Sequence, residues 1–290
     1  MLWSGFINLI LILFLGFNGL AAKVNLSGPL ITLKPEAAPL KIAAPRLAVL
    51  AANDHFFLWT QGADEIQPIA SITKLMTALV FLDNNPGWGK IYKISPDDEV
   101  EGGRWHLFLG EELSLKDLFY TSLVASDNGA TIALVHATGL SEADFVKKMN
   151  AKARELGLSS TSFADPIGLS DYNVSTAREV ALLAQAALKR PEIKEATTQS
   201  EYRFTTLDGR EKVIESTDYL LSDSASSSLQ VIGGKTGYTD KAGYCFVGRL
   251  KDDRGREVIS VILNSGGKND RFIESRNLAN WVFNSYNWNK

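Results

Sequence analysis

The spacing of apolar residues along this chain changes period three times, and each change marks a different kind of element. Two short apolar runs, "RLAVLAA" and "HFFLWT", flank Asn53-Asp54 and predict a β-hairpin. In "PIASITKLMTALVFLD" the period lengthens: Ile72, Leu75, Met76, Leu79, Val80 and Leu82 recur as on an amphipathic helix that Ser71 opens. Asn84, Asn85, Pro86 and Gly87 end it. "GGRWHLFLGEEL" is irregular and suits a small hairpin. From Ser114 four helices are predicted, in "SLKDLFYTSLVAS", "NGATIALVHATG", "SEADFVKKMNAKARELG" and "STAREVALLAQAALKRP", with Ser141/Asp144 and Ser175/Glu179 as N-terminal turns. After Pro191 the strand period returns. "EYRFTTLDGREKVIES" reads as a hairpin about Asp208-Gly209, and three more strands follow in "LQVIGGKTGYT", "GYCFVGRLKDD" and "REVISVILNS". "DRFIESRNLANWVFNSYNW" closes the chain as a helix.

Successive late strands joined by tight turns must pair antiparallel. The pattern therefore predicts an α+β fold: an antiparallel sheet covered by helices, with an all-helical block inserted between its two groups of strands. The first residues follow another rule. "MLWSGFINLILILFLGFNGLAA" (1–22) is an apolar run followed by small residues, expected to be a signal peptide or signal anchor and thus a means of export or membrane tethering. Pro29, Pro35, Pro39 and Pro45 are too close together for a helix or a central strand, so 23–46 is expected to be an extended spacer, with a single folded domain over 47–290.

Composition narrows the chemistry. The 290 residues are 45% hydrophobic with a net charge of −3, and no long basic run offers a nucleic-acid footprint. A lone cysteine, Cys245, excludes an internal disulfide and a multi-cysteine metal site. The histidines His55, His106 and His136 are scattered without an H-E-x-x-H, which argues against a zinc peptidase, and no G-x-S-x-G elbow occurs. Trp105, His106 and Phe108 are read as local packing, with a cleft rim as the other reading.

Three short motifs remain. Ser71 and Lys74 stand three apart, so on a helix they share a face, with Cβ atoms about 5–6 Å apart. A serine at a helix start also has its own N–H available to an oxyanion. The pair alone is weak: Ser71 would serve equally as a helix cap, and Ser265 with Lys268 repeats the spacing. Ser126-Asp127-Asn128 lies between two apolar helices, where it suits either a plain turn or a loop that presents a hydroxyl and an amide to a cleft. Lys235-Thr236-Gly237 sits on a late strand among glycines that are costly there unless a backbone must approach closely. Lys235 and Thr236 could bind a carboxylate and the Tyr238 N–H could complete an oxyanion hole; an edge lysine that blocks aggregation is the plainer reading.

Taken together and in this order, S-x-x-K, S-x-N and K-T-G are similar to the motif set of penicillin-binding proteins and class A β-lactamases. Longer stretches, "MNAKARELGLSSTSFADPIGLS", "NVSTAREVALLAQAAL" and "GGKTGYTDKAGYCFVG", resemble the low-molecular-mass serine D-alanyl-D-alanine carboxypeptidases. The resemblance implies the penicillin-binding-protein/serine β-lactamase-like transpeptidase fold and an extracytoplasmic serine peptidase without a cofactor. It would act on peptidoglycan stem peptides through a Ser71 acyl-enzyme and be inhibited covalently by β-lactams. Ser71, Lys74 and Ser126 would be catalytic; Asn128, Lys235, Thr236, Gly237 and Tyr238 would bind substrate. Lys74 must then be a neutral amine, although a free lysine with a pKa near about 10.4 is neutral only about once in a few thousand at pH 7. Desolvation and the charge of Lys235 are the expected causes of a shift.

One departure bears on specificity. Where many such enzymes carry Arg in N-R-N-x-L-L ahead of K-T-G, this chain has "STDYLLS", with Thr217 at the Arg position. Carboxypeptidase action is the main expectation, and D,D-endopeptidase action on cross-links is the alternative. A β-lactamase is disfavoured because "GLSSTSFADPIGLS" lacks the deacylating Glu, and a non-catalytic sensor because all three motifs are intact.

Overall fold

A computed structural model describes residues 31–100, 105–222 and 229–288; the expected signal segment 1–22 lies outside them. The described residues begin with a two-residue strand, β1 (Thr32–Leu33), and then form the predicted hairpin from β2 (Arg46–Ala51) and β3 (Phe57–Gln61). A short β4 (Gln67–Pro68) leads to a 3₁₀ turn over Ala70–Thr73, which passes into α1 (Lys74–Asp83). β5 (Ile91–Lys93) pairs with β6 (Glu112–Ser114), so the small hairpin expected within "GGRWHLFLGEEL" instead spans a longer loop, with only its last residues in a strand. The helical block is α2 (Leu115–Val124), α3 (Asn128–Ala137) and α4 (Glu142–Glu155); β7 (Val174–Ser175) and α5 (Ala177–Ala187) follow. Next come α6 (Pro191–Thr197), the hairpin β8 (Glu201–Thr205)/β9 (Glu211–Glu215), and the long strands β10 (Gln230–Thr239), β11 (Gly243–Lys251) and β12 (Glu257–Ser265). The chain closes with α7 (Asp270–Ser285) and β13 (Tyr286–Asn287), which pairs with β1.

The central sheet is antiparallel throughout, in the order β10-β11-β12-β2-β3, so the strand carrying Lys235-Thr236-Gly237 is an edge strand. Its two faces bury separate cores. One lies under α1, α2 and α5 and contains Leu75, Phe81, Phe119, Val180 and Leu183; the other lies under α7 and contains Leu47, Phe246, Ile262 and Val282.

Four local readings change. α1 begins three residues after Ser71, because Ala70 holds φ at +49° and the chain enters regular helix only beyond it. α1 is also not amphipathic: it is buried all round from Lys74 to Phe81, as befits a helix between sheet and helical block. The cap of α5 is Thr176, whose side chain accepts from the Glu179 N–H, rather than Ser175. Pro191 starts α6 rather than ending helical structure; proline suits a first helical position, where its missing N–H costs nothing. The described part of the proline-rich segment, from residue 31, is not detached. The Ala43 and Ala44 N–H groups bond Glu274 Oε1 at 3.1 and 2.9 Å, Ala44 is buried, and Trp281 Nε1 donates to Ala38 O at 2.7 Å. An extended backbone presents unpaired N–H and C=O groups, and α7 supplies their partners.

Candidate active site

Ser71 sits in the 3₁₀ turn with backbone on both sides of it. Gly237 on β10 approaches so closely that a Cβ there would stand 2.7 Å from Ile69 O and 3.3 Å from Ser71 N. A Cβ on Gly168 would overlap the Ala70 carbonyl and lie 2.9 Å from Ser71 N. Only glycine permits two backbones to pack this tightly, so the glycine that looked costly in a strand is explained by close approach to the nucleophile's turn.

Lys74 is fully buried, and its Nζ lies 3.1 Å from Ser71 Oγ, 2.7 Å from Asn128 Oδ1 and 2.7 Å from Ile167 O. Two of these partners are acceptors only. A neutral amine has two N–H bonds and one lone pair, so donating to both carbonyl oxygens leaves the lone pair for the Ser71 hydroxyl proton. Burial lowers the Lys74 pKa to about 7, against the opposing fields of Asp127 and Asp165. The base is thus prepared chiefly by desolvation rather than by Lys235.

The third partner, Ile167 O, was not foreseen. It is presented by a loop built on Asp165, whose Oδ1 accepts from the N–H groups of Ile167 (2.8 Å) and Gly168 (2.5 Å) and from Asn173 Nδ2 (3.0 Å), and whose Oδ2 accepts from Ser170 N–H (2.6 Å). This is the loop noted for lacking a glutamate; its one carboxylate is taken up in shaping the turn. "D-P-I-G" with a nearby Asn is the local signal that could have flagged an Asx-type turn.

Ser126 holds φ at +60°, an uncommon conformation for serine, and its Oγ accepts from Lys235 Nζ at 2.7 Å. The hydroxyl expected to relay protons is therefore linked to Lys235 in this state. Asp127 caps α3 through the Ala130 N–H at 2.8 Å, while its Oδ2 takes both the His106 N–H (3.1 Å) and Nδ1 (2.9 Å). Lys235 is itself buried and pushed well below the ordinary lysine range, by burial first and then by the charges of Lys74 and Arg271, with Asp218 opposing. It was expected to stay charged; burial in the unliganded site weakens its hold on the proton, and an incoming carboxylate would strengthen it. Thr236 Oγ1 and Thr217 Oγ1 are 2.7 Å apart, so the residue at the missing-arginine position does reach the motif.

Behind β10 lies a buried group that the motifs did not reveal. Arg271 Nη1 donates to Gly237 O (3.0 Å) and Cys245 O (3.3 Å). Asp218 is raised to about 7 by burial, against the Leu220 N–H, Arg271 and Lys235. Tyr238 is half exposed and stacks on Tyr244 of the neighbouring strand β11, with centroids 4.4 Å apart. The second S-x-x-K pair is nowhere near this chemistry: Ser265 Oγ donates to Glu274 Oε2 at 2.6 Å, and Lys268 lies over the Tyr219 ring. Trp105 and Phe108 correct the packing expectation; both project into solvent, and only His106 packs inward.

The family model described as D-alanyl-D-alanine carboxypeptidase matches residues 33–267. The chain belongs to this family. It is a serine-type D,D-peptidase with the fold of the penicillin-binding proteins. It is 33% identical to the D-alanyl-D-alanine endopeptidase of Escherichia coli K12 over 83% of this chain and 78% of that one. With the protein of the same name from Haemophilus influenzae it shares 38% over 71% and 70%. Among solved structures, penicillin-binding protein D2 of Listeria monocytogenes in a cefotaxime-bound form superposes with a TM-score of 0.73 at 34% identity, covering 85% of this chain and 99% of that one.

Proposed function

We propose that this peptidase is a D,D-endopeptidase that cleaves peptidoglycan cross-links outside the cytoplasm. The observation that carries the reading is the Thr217–Thr236 hydroxyl pair, 2.7 Å apart, where many relatives place an arginine. An arginine there would favour a free terminal carboxylate through paired charge-assisted bonds. Two hydroxyls accept and donate without charge, and so admit a substrate that continues past the scissile bond. The endopeptidase names of the E. coli and Haemophilus relatives support this reading over the carboxypeptidase one.

In the mechanism that follows from the geometry, Lys74 as neutral amine takes the Ser71 proton while Ser71 Oγ attacks the carbonyl of the D-Ala residue. The N–H groups of Ser71 and Tyr238 receive the developing oxyanion. The leaving amine takes the proton that Lys74 received from Ser71, relayed through the Ser126 hydroxyl, which Lys235 holds in place. Water then hydrolyses the acyl-enzyme, with Lys74 again as base. Asn128 fixes Lys74, and Lys235 with Thr236 anchors the carboxylate beside the scissile bond. A β-lactam acylates the same serine. The deciding experiment is digestion of purified cross-linked muropeptides and of monomeric pentapeptides. Dimer converted to monomers with little D-Ala release supports the proposal; D-Ala release from pentapeptide with dimers left intact restores the carboxypeptidase reading.

A further inference from the structure

The loop before α2 buries its charges and exposes its apolar side chains, the reverse of what folding alone selects. Trp105, Phe108, Leu109 and, on the adjoining hairpin turn, Leu207 are 48–59% exposed. Beneath them Glu111 is 1% exposed and Lys212 9%, joined at 2.7 Å. Glu111 Oε2 also accepts from the Phe108 N–H at 2.9 Å; Lys212 Nζ donates to His106 O at 3.0 Å and lies 4.5 Å from the centre of the Phe108 ring. A bond from Leu207 N–H to Glu112 O, 2.8 Å, ties the hairpin to the loop. The Phe108 ring therefore stands on a fixed polar base, while Trp105 lines a cavity with Asp98, Leu107 and Asn128. Burying an ion pair is costly unless geometry rewards it, and here the reward is a held apolar surface.

We infer that this rim, formed by Trp105, Phe108 and Leu109, is a saccharide-binding surface that takes a hexosamine ring of the glycan strand bearing the scissile stem peptide. The inference rests on the D,D-peptidase reading of the site. Two observations select this occupant. The rim is continuous with the catalytic motif: His106, between Trp105 and Leu107, is bonded to Asp127, the central residue of Ser126-Asp127-Asn128. A stem of about four residues ahead of the scissile bond spans at most about 14 Å, which keeps the sugar to which it is attached within reach of the cleft wall. The C–H face of a pyranose is apolar and flat, and indole and phenyl rings match it. A membrane surface fits less well, because the N-terminal segment 31–45 runs along α7, on the opposite face of the central sheet from the helical block that carries the rim.

The test compares Trp105→Ala, Phe108→Ala and the double variant with the wild type on paired substrates: a peptide without sugar, and the same peptide on its N-acetylated disaccharide. Penicillin acylation of each variant reports an intact site. The expected result is acylation and sugar-free turnover within about twofold of wild type, with KM for the disaccharide substrate raised about tenfold, the loss of an aromatic contact of about 1.4 kcal/mol. Equal losses on both substrates would mean that the loop only holds the Ser126 motif, and unchanged KM on both would mean that the rim does not meet sugar; either overturns the proposal. So would an unchanged ratio accompanied by lost binding to anionic phospholipid vesicles. The ratio is read with whichever peptide the wild type turns over, pentapeptide or cross-linked dimer, so failure of the endopeptidase reading leaves this test intact.

Discussion

Ser71/Lys74 and Ser265/Lys268 have the same spacing, and the fold makes them opposites. At the first pair the lysine is fully buried, three polar atoms surround its Nζ, and two glycines bring backbone against the serine. At the second the serine is buried and the lysine lies over a tyrosine ring at the surface. Ser265 bonds Glu274, and the other oxygen of that carboxylate holds the Ala43 and Ala44 N–H groups. One pair has the surroundings that the proposed chemistry needs; a residue of the other helps tie down the N-terminal segment. The difference teaches that a catalytic dyad is defined by what desolvates and orients it, since spacing is common to both.

The widest separation between the two pairs comes from removing the reacting groups. Ser71→Ala should abolish labelling by a fluorescent penicillin, and Lys74→Arg should reduce acylation by about 10³-fold or more, because arginine does not deprotonate. Ser265→Ala and Lys268→Arg should label at wild-type rates. Labelling that survives Ser71→Ala, or equal loss at Ser265, would erase the contrast.

Next in size is the backbone clamp. Gly237→Ala places a methyl carbon 2.7 Å from Ile69 O, which must displace the Ser71 turn. A misplacement of this kind should slow acylation about 10²-fold while the protein still folds, as checked by second-order rate and thermal melting together. Lys235→Arg keeps a cation that can bind a carboxylate and should cost less, about ten- to a hundredfold.

The pH dependence sharpens the comparison further. Lys74 acts as a base only when neutral, and burial brings its pKa to about 7. Acylation should therefore rise with pH up to about 7, level off above it, and fall about tenfold for each unit below. Lys235→Ala removes a side chain whose own hold on a proton burial has already weakened, so the rising limb should stay at about 7, where the burial of Lys74 sets it, while the rate falls. A wild-type limb near the ordinary lysine value would show that burial does not set the base.

The smallest effects belong to the second pair. Ser265→Ala removes one bond to a buried carboxylate and should lower stability by about 1–2 kcal/mol, seen as a shift in the denaturant midpoint with acylation unchanged. Deleting the residues before Leu47 removes the Ala43 and Ala44 bonds and the burial of Ala44. It should destabilise more than Ser265→Ala does, and lower the melting temperature before it alters the acylation rate. A truncated chain as stable as the full one would return 31–46 to the status of a spacer.

What the sequence determined by itself was what short range encodes. Residues three apart meet on a turn whatever surrounds them, so Ser71 and Lys74 were legible as a pair. Alternating apolar strands with tight turns permit only antiparallel neighbours, so the β10-β11-β12 meander and the helical block were legible as well. Helix α6 was not, because Pro191 punctuates a sequence in the same way whether it opens a helix or closes one. What only the tertiary structure decided is the chemical state of those residues. The proposed base, Lys74, is loosened from its proton by burial, and Ile167 and Asn128, 93 and 54 residues further along, orient its amine with their carbonyl oxygens. Arg271 reaches the back of β10 from an element that carries no motif, and Asp218 from a segment in which the sequence showed only a missing arginine. Trp105 and Phe108 look like core residues in sequence and are about half exposed, Phe108 over a buried ion pair. Desolvation is a property of everything packed around a group, and no local stretch of chain specifies it.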